Sequence, residues 1–372
     1  MNQQNDMQAP GYSDMEPGND PQPFQTPYVP SVKRDRQKGG IFFAFFVMFF
    51  SFTVFILILS MVFLAGGLLS TGNTPFLPYF YLLLPIPGSS GFIVINGAVY
   101  AQTVPLILVV IFHSVQLAAV AAVVFILYGI FFALMVWVGI RSGSRSWLKN
   151  PISFYSSVIP AAYGLVFVST LFELATSIPI GGTFINSGLQ TTPYLVFTQL
   201  IYAPFVEELG FRIIPLGLLS VLLFAYRKNI TSGKDALYAF FMPGLFRKKT
   251  GAKIGWLEWT FILLTSAAFG YAHAAFGAWG WGKIITAALA GFFLALGFME
   301  FGFFVDIPMH WFFNGTTTML LLPVGVGTIA AVYVYILLIF VMGVVSLIYF
   351  VLYFTGYFKP PQRFFTGAPP GP

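Results

Sequence analysis

The sequence predicts an all-α polytopic membrane protein of about eight transmembrane helices with a small outer β-hairpin. Three observations carry that expectation. The 372 residues are 58% hydrophobic and only 8% charged, where soluble domains carry about 25% charged residues. No Asp, Glu, Lys or Arg occurs from Gly39 to Ile140. Apolar runs of the ~20 residues that a bilayer crossing needs recur along the chain.

Taken in order, residues 1–40 are rich in Pro, Gln, Asn, Asp and Gly and lack an apolar period, so they read as a disordered cytoplasmic tail. No signal peptide is expected before Ile41, because the first apolar stretch starts too late and runs too long. Helices are expected near 41–65, 105–140, 152–177, 194–226, 257–278, 284–304, 307–323 and 329–356. Residues 41–150 then form two N-terminal helices joined by an outer loop at 66–104. Residues 151–356 form a six-helix portion, and 357–372 a cytoplasmic C-terminal tail. Stretches 105–140 and 194–226 exceed one crossing, so each is expected to tilt, break or protrude. In the outer loop, Phe92–Ile95 and Ala98–Ala101 flank Asn96-Gly97, the strongest short hairpin signal. Its expected role is a structural cap.

Loops rich in Lys and Arg stay on the cytoplasmic side. Lys33, Arg34, Arg36 and Lys38 precede the first expected span, and Arg141, Arg145 and Lys149 follow the second. Arg227, Lys228, Lys234, Arg247, Lys248, Lys249 and Lys253 lie between the fourth and fifth, and Lys359 and Arg363 follow the eighth. Eight spans put all four clusters on one side, with both termini cytoplasmic and only Lys283 in an opposite loop. A seven-span reading would separate the last pair. The net charge of +6 therefore does not point to nucleic acid, since the cations sort by membrane side rather than forming one face. The absence of cysteine excludes disulfides, thiolate metal sites and a cysteine nucleophile. No inverted repeat of the transporter kind is seen.

Against this background, charge is informative. Glu207-Glu208-Leu209-Gly210-Phe211-Arg212 places three ionisable groups within six residues of an apolar stretch. Each costs at least ~2.5–3.5 kcal/mol at a bilayer centre. Neighbouring helical residues point about 100° apart, so the two glutamates cannot face the same place. Glu208 and Arg212 are four apart and are expected to pair; a purely structural ion pair accounts for those two equally well. Glu207 remains a carboxylate with no local partner, which makes it the candidate catalytic group. Pro204 cannot complete the helical bond to the carbonyl of Leu200, and a kink there would open space beside Glu207.

Two of the three histidines lie in apolar segments downstream. His273 ends Phe269-Gly270-Tyr271-Ala272-His273, and His310 is four residues before Asn314, so His310 and Asn314 share a helical face. Asp306 followed by Pro308 suits a helix start. His310 and Asn314 could hold a developing oxyanion or simply join helices through hydrogen bonds. His113, with only Gln116 near, is taken as structural. Two histidines and a glutamate could also make an open zinc site, although the compact His-Glu-x-x-His signature is absent.

Glu-Glu-x-x-x-Arg at Glu207, Glu208 and Arg212, Phe-x-x-x-His at Phe269 and His273, and His-x-x-x-Asn at His310 and Asn314 occur in order on successive apolar segments. This set resembles the CPBP family of intramembrane glutamic endopeptidases, which includes type II CAAX prenyl endopeptidases and bacterial Abi proteins. The motif region covers roughly 194–323. The resemblance implies an eight-helix membrane protease with a cavity open to the cytoplasm. It implies Glu207 as the base that activates water with help from His273, and His310 with Asn314 as the oxyanion pair. Glu208 and Arg212 would support the site, and no cofactor or metal would be bound. The implied partners are the lipid bilayer and a membrane-associated peptide or protein, prenylated CAAX proteins being one candidate class, in the cell membrane of a prokaryote. The rival is a non-catalytic membrane scaffold or bacteriocin-immunity-type protein that keeps the motif for structure.

Overall fold

A computed structural model describes residues 35–71, 75–83, 91–95, 98–102, 107–111, 113–144, 147–176, 193–275, 281–321 and 326–357. Residues 1–34 of the tail expected at 1–40, residues 358–372 of that expected at 357–372, and the Asn96-Gly97 turn itself lie outside the described residues, while 35–40 belong to the first helix instead. Helix α1 is Asp35–Thr71, α2 Leu117–Ser142, α3 Pro151–Thr176 and α4 Pro193–Glu208. A π-helical turn, Leu209–Ile213, joins α4 to α5, Ile214–Tyr226. Two short helices follow, α6 (Gly233–Phe241) and α7 (Pro243–Thr250). Then come α8 (Trp256–Ala275), α9 (Lys283–Glu300), α10 (Phe303–Leu321) and α11 (Val326–Phe354).

Each expected span thus contains a helix, with corrections at the ends. Among the described residues, six stretches are long and apolar enough to cross a membrane: Gly40–Val62, Leu117–Ser142, Pro151–Val168, Phe197–Tyr226, Lys283–Glu300 and Val334–Phe354. Helices α8 and α10, which carry His273 and His310, are not among the six. The first helix starts before Ile41 and runs on to Thr71, so the following loop is shorter than expected. The second expected helix fails over its first third. Ile107–Ile111 is strand β5, paired antiparallel with β2, Tyr79–Leu83. A short apolar run does not reveal by periodicity whether it is helix or strand, and Ile-Leu-Val-Val-Ile is strongly β-forming. The hairpin flanking Asn96-Gly97 is formed: β3 (Gly91–Ile95) pairs with β4 (Ala98–Gln102), Ile95 opposite Ala98. Together with β1 (Pro75–Phe76) on β6 (Val115–Gln116), the ladders nest into one arm. Strand β2 lies against α4 and the π-turn.

Lipid offers no hydrophobic drive between helices, so close contact of small residues and interlocking rings must join them. Helices α8 and α9 form the closest pair. A Cβ on Gly270 would come within 2.4 Å of the Ile284 carbonyl oxygen, so only glycine permits this approach. Buried rings of Phe50, Phe132, Tyr155 and Trp311 knit α1, α2, α3 and α10 at mid-depth.

Two of the four basic segments, 141–149 and 227–253, come together at one end of the bundle. Asn150 caps α3 through its Oδ1, accepting from Ile152 and Ser153 N–H, while its Nδ2 donates to Gly139 and Ser144 carbonyls at the end of α2. Trp147 stacks on Phe154 and meets Phe350 of α11. Helix α7 docks on the end of α9, with Arg247 donating to the Met299 carbonyl and lying 3.6 Å from Glu300. Arg227 reaches Glu258 at the start of α8 at 3.9 Å. The 141–150 and 227–256 segments therefore share an end with the finish of α9 and α11.

Candidate active site

The chain is irregular where its carboxylates lie. Helix α4 runs through Pro204 as regular helix, so the break expected there falls one turn later, in the π-turn. Pro215 gives the reason: its ring excludes the carbonyl four residues back, and the amide of Ile214 reaches Leu209 O in the wider π pattern instead. Such single π turns often mark functional sites.

On this turn Glu208 and Arg212 are fully buried, with Nη1 to Oε1 at 3.0 Å. Arg212 also donates from Nη2 to the Gly291 carbonyl at 3.2 Å, and its guanidinium lies 4.0 Å over the Phe269 ring. A Cβ on Gly291 would sit 2.9 Å from that nitrogen, so glycine makes room for the guanidinium. The same Glu208 Oε1 lies 2.5 Å from His310 Nδ1. Sequence reasoning did not find this link between α10 and the π-turn, since nothing in spacing relates residues 102 apart.

A buried carboxyl was also missed. Helix α10 begins at Phe303, so Asp306 lies within its first turn rather than serving as its cap. Asp306 is fully buried beside the Glu208 carboxyl, and no N–H or hydroxyl donor reaches either of its oxygens. The remaining Glu208 oxygen, Oε2, is likewise reached by no such donor.

Glu207 faces elsewhere. It is 21% exposed, and its Oε2 lies 3.4 Å from His310 Nε2. His310 thus stands between the two glutamates, one at each ring nitrogen. His273 is turned by its own helix, Nδ1 lying 2.9 Å from the Phe269 carbonyl, which leaves Nε2 as its other functional atom. Asn314 Nδ2 donates to Leu200 O at 3.3 Å. Glu207, His273, His310 and Asn314 all line one cavity of about 260 Å³, with Tyr163, Lys283 and Thr286 as its other polar side chains. His113 lies apart, beside an apolar cleft with Tyr202 and Phe205. Among the described residues, no group of three His, Cys, Asp or Glu side chains is arranged to hold a metal ion.

The cavity has a direction. From Glu207 and His310 it extends along α9 to Lys283, that helix's first residue, and along α3 to Val166. Both lie away from the basic segments. On the opposite side the next turns are closed: Arg212, Leu216, Leu294, Phe298, Phe304, Val305 and Asp306 are all buried.

Comparison with known proteins bears on this same region. No curated protein and no solved structure matches the chain. A family model described as "Type II CAAX prenyl endopeptidase Rce1-like" matches residues 189–316. That segment begins before α4, ends two residues past Asn314 and so contains all three motifs. A helix bundle with six stretches apolar enough to cross a membrane among its described residues carries these motifs, and over residues 189–316, about a third of the chain, it is similar to the Rce1-like type II CAAX prenyl endopeptidases.

Proposed function

We propose that the protein is an intramembrane endopeptidase of the glutamic type, hydrolysing a peptide bond near the membrane with water activated by Glu207. One observation supports this most. Of two adjacent glutamates, one is buried and neutralised by Arg212, while the other is partly exposed in a cavity beside both histidines and Asn314. A cavity of about 260 Å³ has room for a water and a peptide unit, a water taking ~30 Å³.

In this reading Glu207 accepts the proton of the attacking water, and His273 Nε2 helps to orient it. Glu208 holds His310 at Nδ1, which leaves Nε2 facing the cavity as one of the two oxyanion contacts. Asn314, braced by Leu200 O, is the second donor. One such donor contributes ~2.7–4 kcal/mol in preorganised sites. Glu208 and Arg212 hold His310 in place. Both termini and the 227–256 loop lie in the cytoplasm by the basic-residue rule. A match to an endopeptidase family disfavours the scaffold reading. The test compares cleaved membrane proteins in cells carrying wild type or Glu207→Gln. Fragments that depend on Glu207 are expected, and identical fragment sets would refute the reading.

A further inference from the structure

Helix α10 carries a polar stripe that the proposed chemistry uses only in part. Asp306, His310 and Asn314 follow one another at four-residue spacing, so all three lie on one face of the helix. His310 and Asn314 line the cavity, whereas Asp306, one turn nearer the start of α10, is completely buried. Along the helix it is flanked by buried Phe304, Val305, Ile307 and Met309. The donors nearby are engaged elsewhere. Arg212 uses Nη1 on Glu208 and Nη2 on the Gly291 carbonyl, and Tyr128 of α2 donates its hydroxyl to the Ile201 carbonyl. An ionised carboxyl in such a place is costly, and an apolar side chain would fill the space without that cost.

Glu208 ties the stripe together. Its Oε1 meets Arg212 Nη1 at 3.0 Å and His310 Nδ1 at 2.5 Å. Its Oε2 receives no N–H or hydroxyl donor, and the Asp306 carboxyl lies within hydrogen-bonding reach of Glu208. Ionised carboxyls only accept, so two in contact repel unless one proton lies between them. With that proton in place, Arg212 alone balances the remaining negative charge, and the group is neutral in apolar surroundings.

The shared proton would also limit motion. A carboxylate held at one oxygen can swing, and one held at both cannot. Glu208 bonded through Oε2 to Asp306 must keep Oε1 on His310, and His310 must then keep Nε2 toward the cavity, 3.4 Å from Glu207. We propose that Asp306 is a positioning residue of this site, sharing a proton with Glu208 and so fixing the carboxylate that aims His310. Its part in turnover rests on the proposed peptidase function; the shared proton does not.

Two variants separate the proton from the packing. Asp306→Asn keeps the shape and offers an N–H to Glu208, while Asp306→Leu fills the site with no donor. Each is purified in detergent as the full chain, beside wild type and Glu207→Gln. Infrared spectra at about pH 8, where unperturbed carboxyls are ionised, resolve the carbonyl stretch of a protonated carboxyl. One such band, present in wild type and in Glu207→Gln, should be lost in Asp306→Asn. Identical spectra for wild type and Asp306→Asn in this region would overturn the proposal. The second readout is cleavage of a quenched-fluorescent peptide mixture, and then of the best-cleaved peptide in it. Asp306→Leu should lower kcat at least about tenfold with KM within about twofold, the mark of an interaction that acts in the transition state, and Asp306→Asn should restore kcat to within about threefold of wild type. Equal losses in both variants, or wild-type kcat in Asp306→Leu, would each refute the positioning role. If Asp306→Leu does not fold, the infrared comparison and the kcat of Asp306→Asn still decide. Wild type that cleaves no peptide would count against the peptidase reading instead, with the infrared band still testing the shared proton.

Discussion

Adjacent glutamates in one motif meet different fates because the helix turns about 100° between them. Glu208 is locked between Arg212 and His310, and Glu207 faces the cavity. Glu207→Gln should therefore abolish cleavage with the melting temperature unchanged. Glu208→Ala should lower stability by about 3–5 kcal/mol, the usual effect of stranding a buried charge; thermal melts in detergent beside the cleavage assay separate the two. Asp306 allows a finer test. Two carboxyls that meet without a donor between them need a shared proton, and an amide can supply that hydrogen. Asp306→Asn should then express and melt like wild type, whereas Asp306→Ala should melt lower. Because His310 is engaged by Glu208 and Asn is a poor zinc ligand, activity should survive dialysis against a strong chelator; loss restored by about one zinc per chain would overturn the glutamate–water chemistry. Much of this site was legible. Ionisable groups stand out in a chain with so few, and four-residue spacing gave the Glu208–Arg212 pair. The bond from His310 to Glu208 and the burial of Asp306 were not legible, because both depend on which face α10 turns to the π-turn.

At the scale of elements, apolar length gave the helices and failed where lipid-like composition hides strand. Ile107–Ile111 reads the same as helix or strand until β2 is beside it. The π-turn was not legible either: a proline inside a helix is expected to break it, yet α4 passes through Pro204 unbroken, and the wider turn lies just before Pro215. Helix contacts give a direct test. Gly291→Ala places a methyl 2.9 Å from Arg212 Nη2 and 3.0 Å from the Phe269 ring. Overpacking of this kind costs about 1–3 kcal/mol, and thermal melts should show the loss even though no charge has changed. Outside the membrane, Asp235 ties the start of α6: its Oδ2 accepts from the Thr231 hydroxyl at 2.7 Å, and Lys249 Nζ lies 3.0 Å from Oδ1. The Thr231 hydroxyl first, then Lys249, hold this carboxyl well below the usual range. Its contribution is thus complete above the unfolded carboxylate pKa of about 3.9 and fades only as pH falls through the lower folded value. Amide exchange in α6 should stay slow down to about pH 4 in wild type and be faster in Asp235→Asn.

Across the whole molecule, two of the four Lys and Arg clusters, 141–149 and 227–253, lie at one end, where α7 docks on α9 and Trp147 on α11. The number of crossings was less legible, because α8 and α10, which carry the site's histidines, are not among the six apolar stretches found in the described residues. Where the cavity sits along the bundle could not be read from spacing, because it follows from how deep each lining residue lies on a different helix. The closed floor beneath Glu207 has an electrical consequence. Water reaching Glu207 through the cavity would bring one conducting phase to mid-membrane, so the transmembrane voltage would fall mostly across the remaining floor. A full crossing is worth ~2.3 kcal/mol per elementary charge per 100 mV. Glu208 and Arg212 sit in that floor as a pair of zero net charge, on which a field exerts little force. Without Glu208, Arg212 would be a lone gating charge, and the protein's stability would come to depend on the sign and size of the membrane potential.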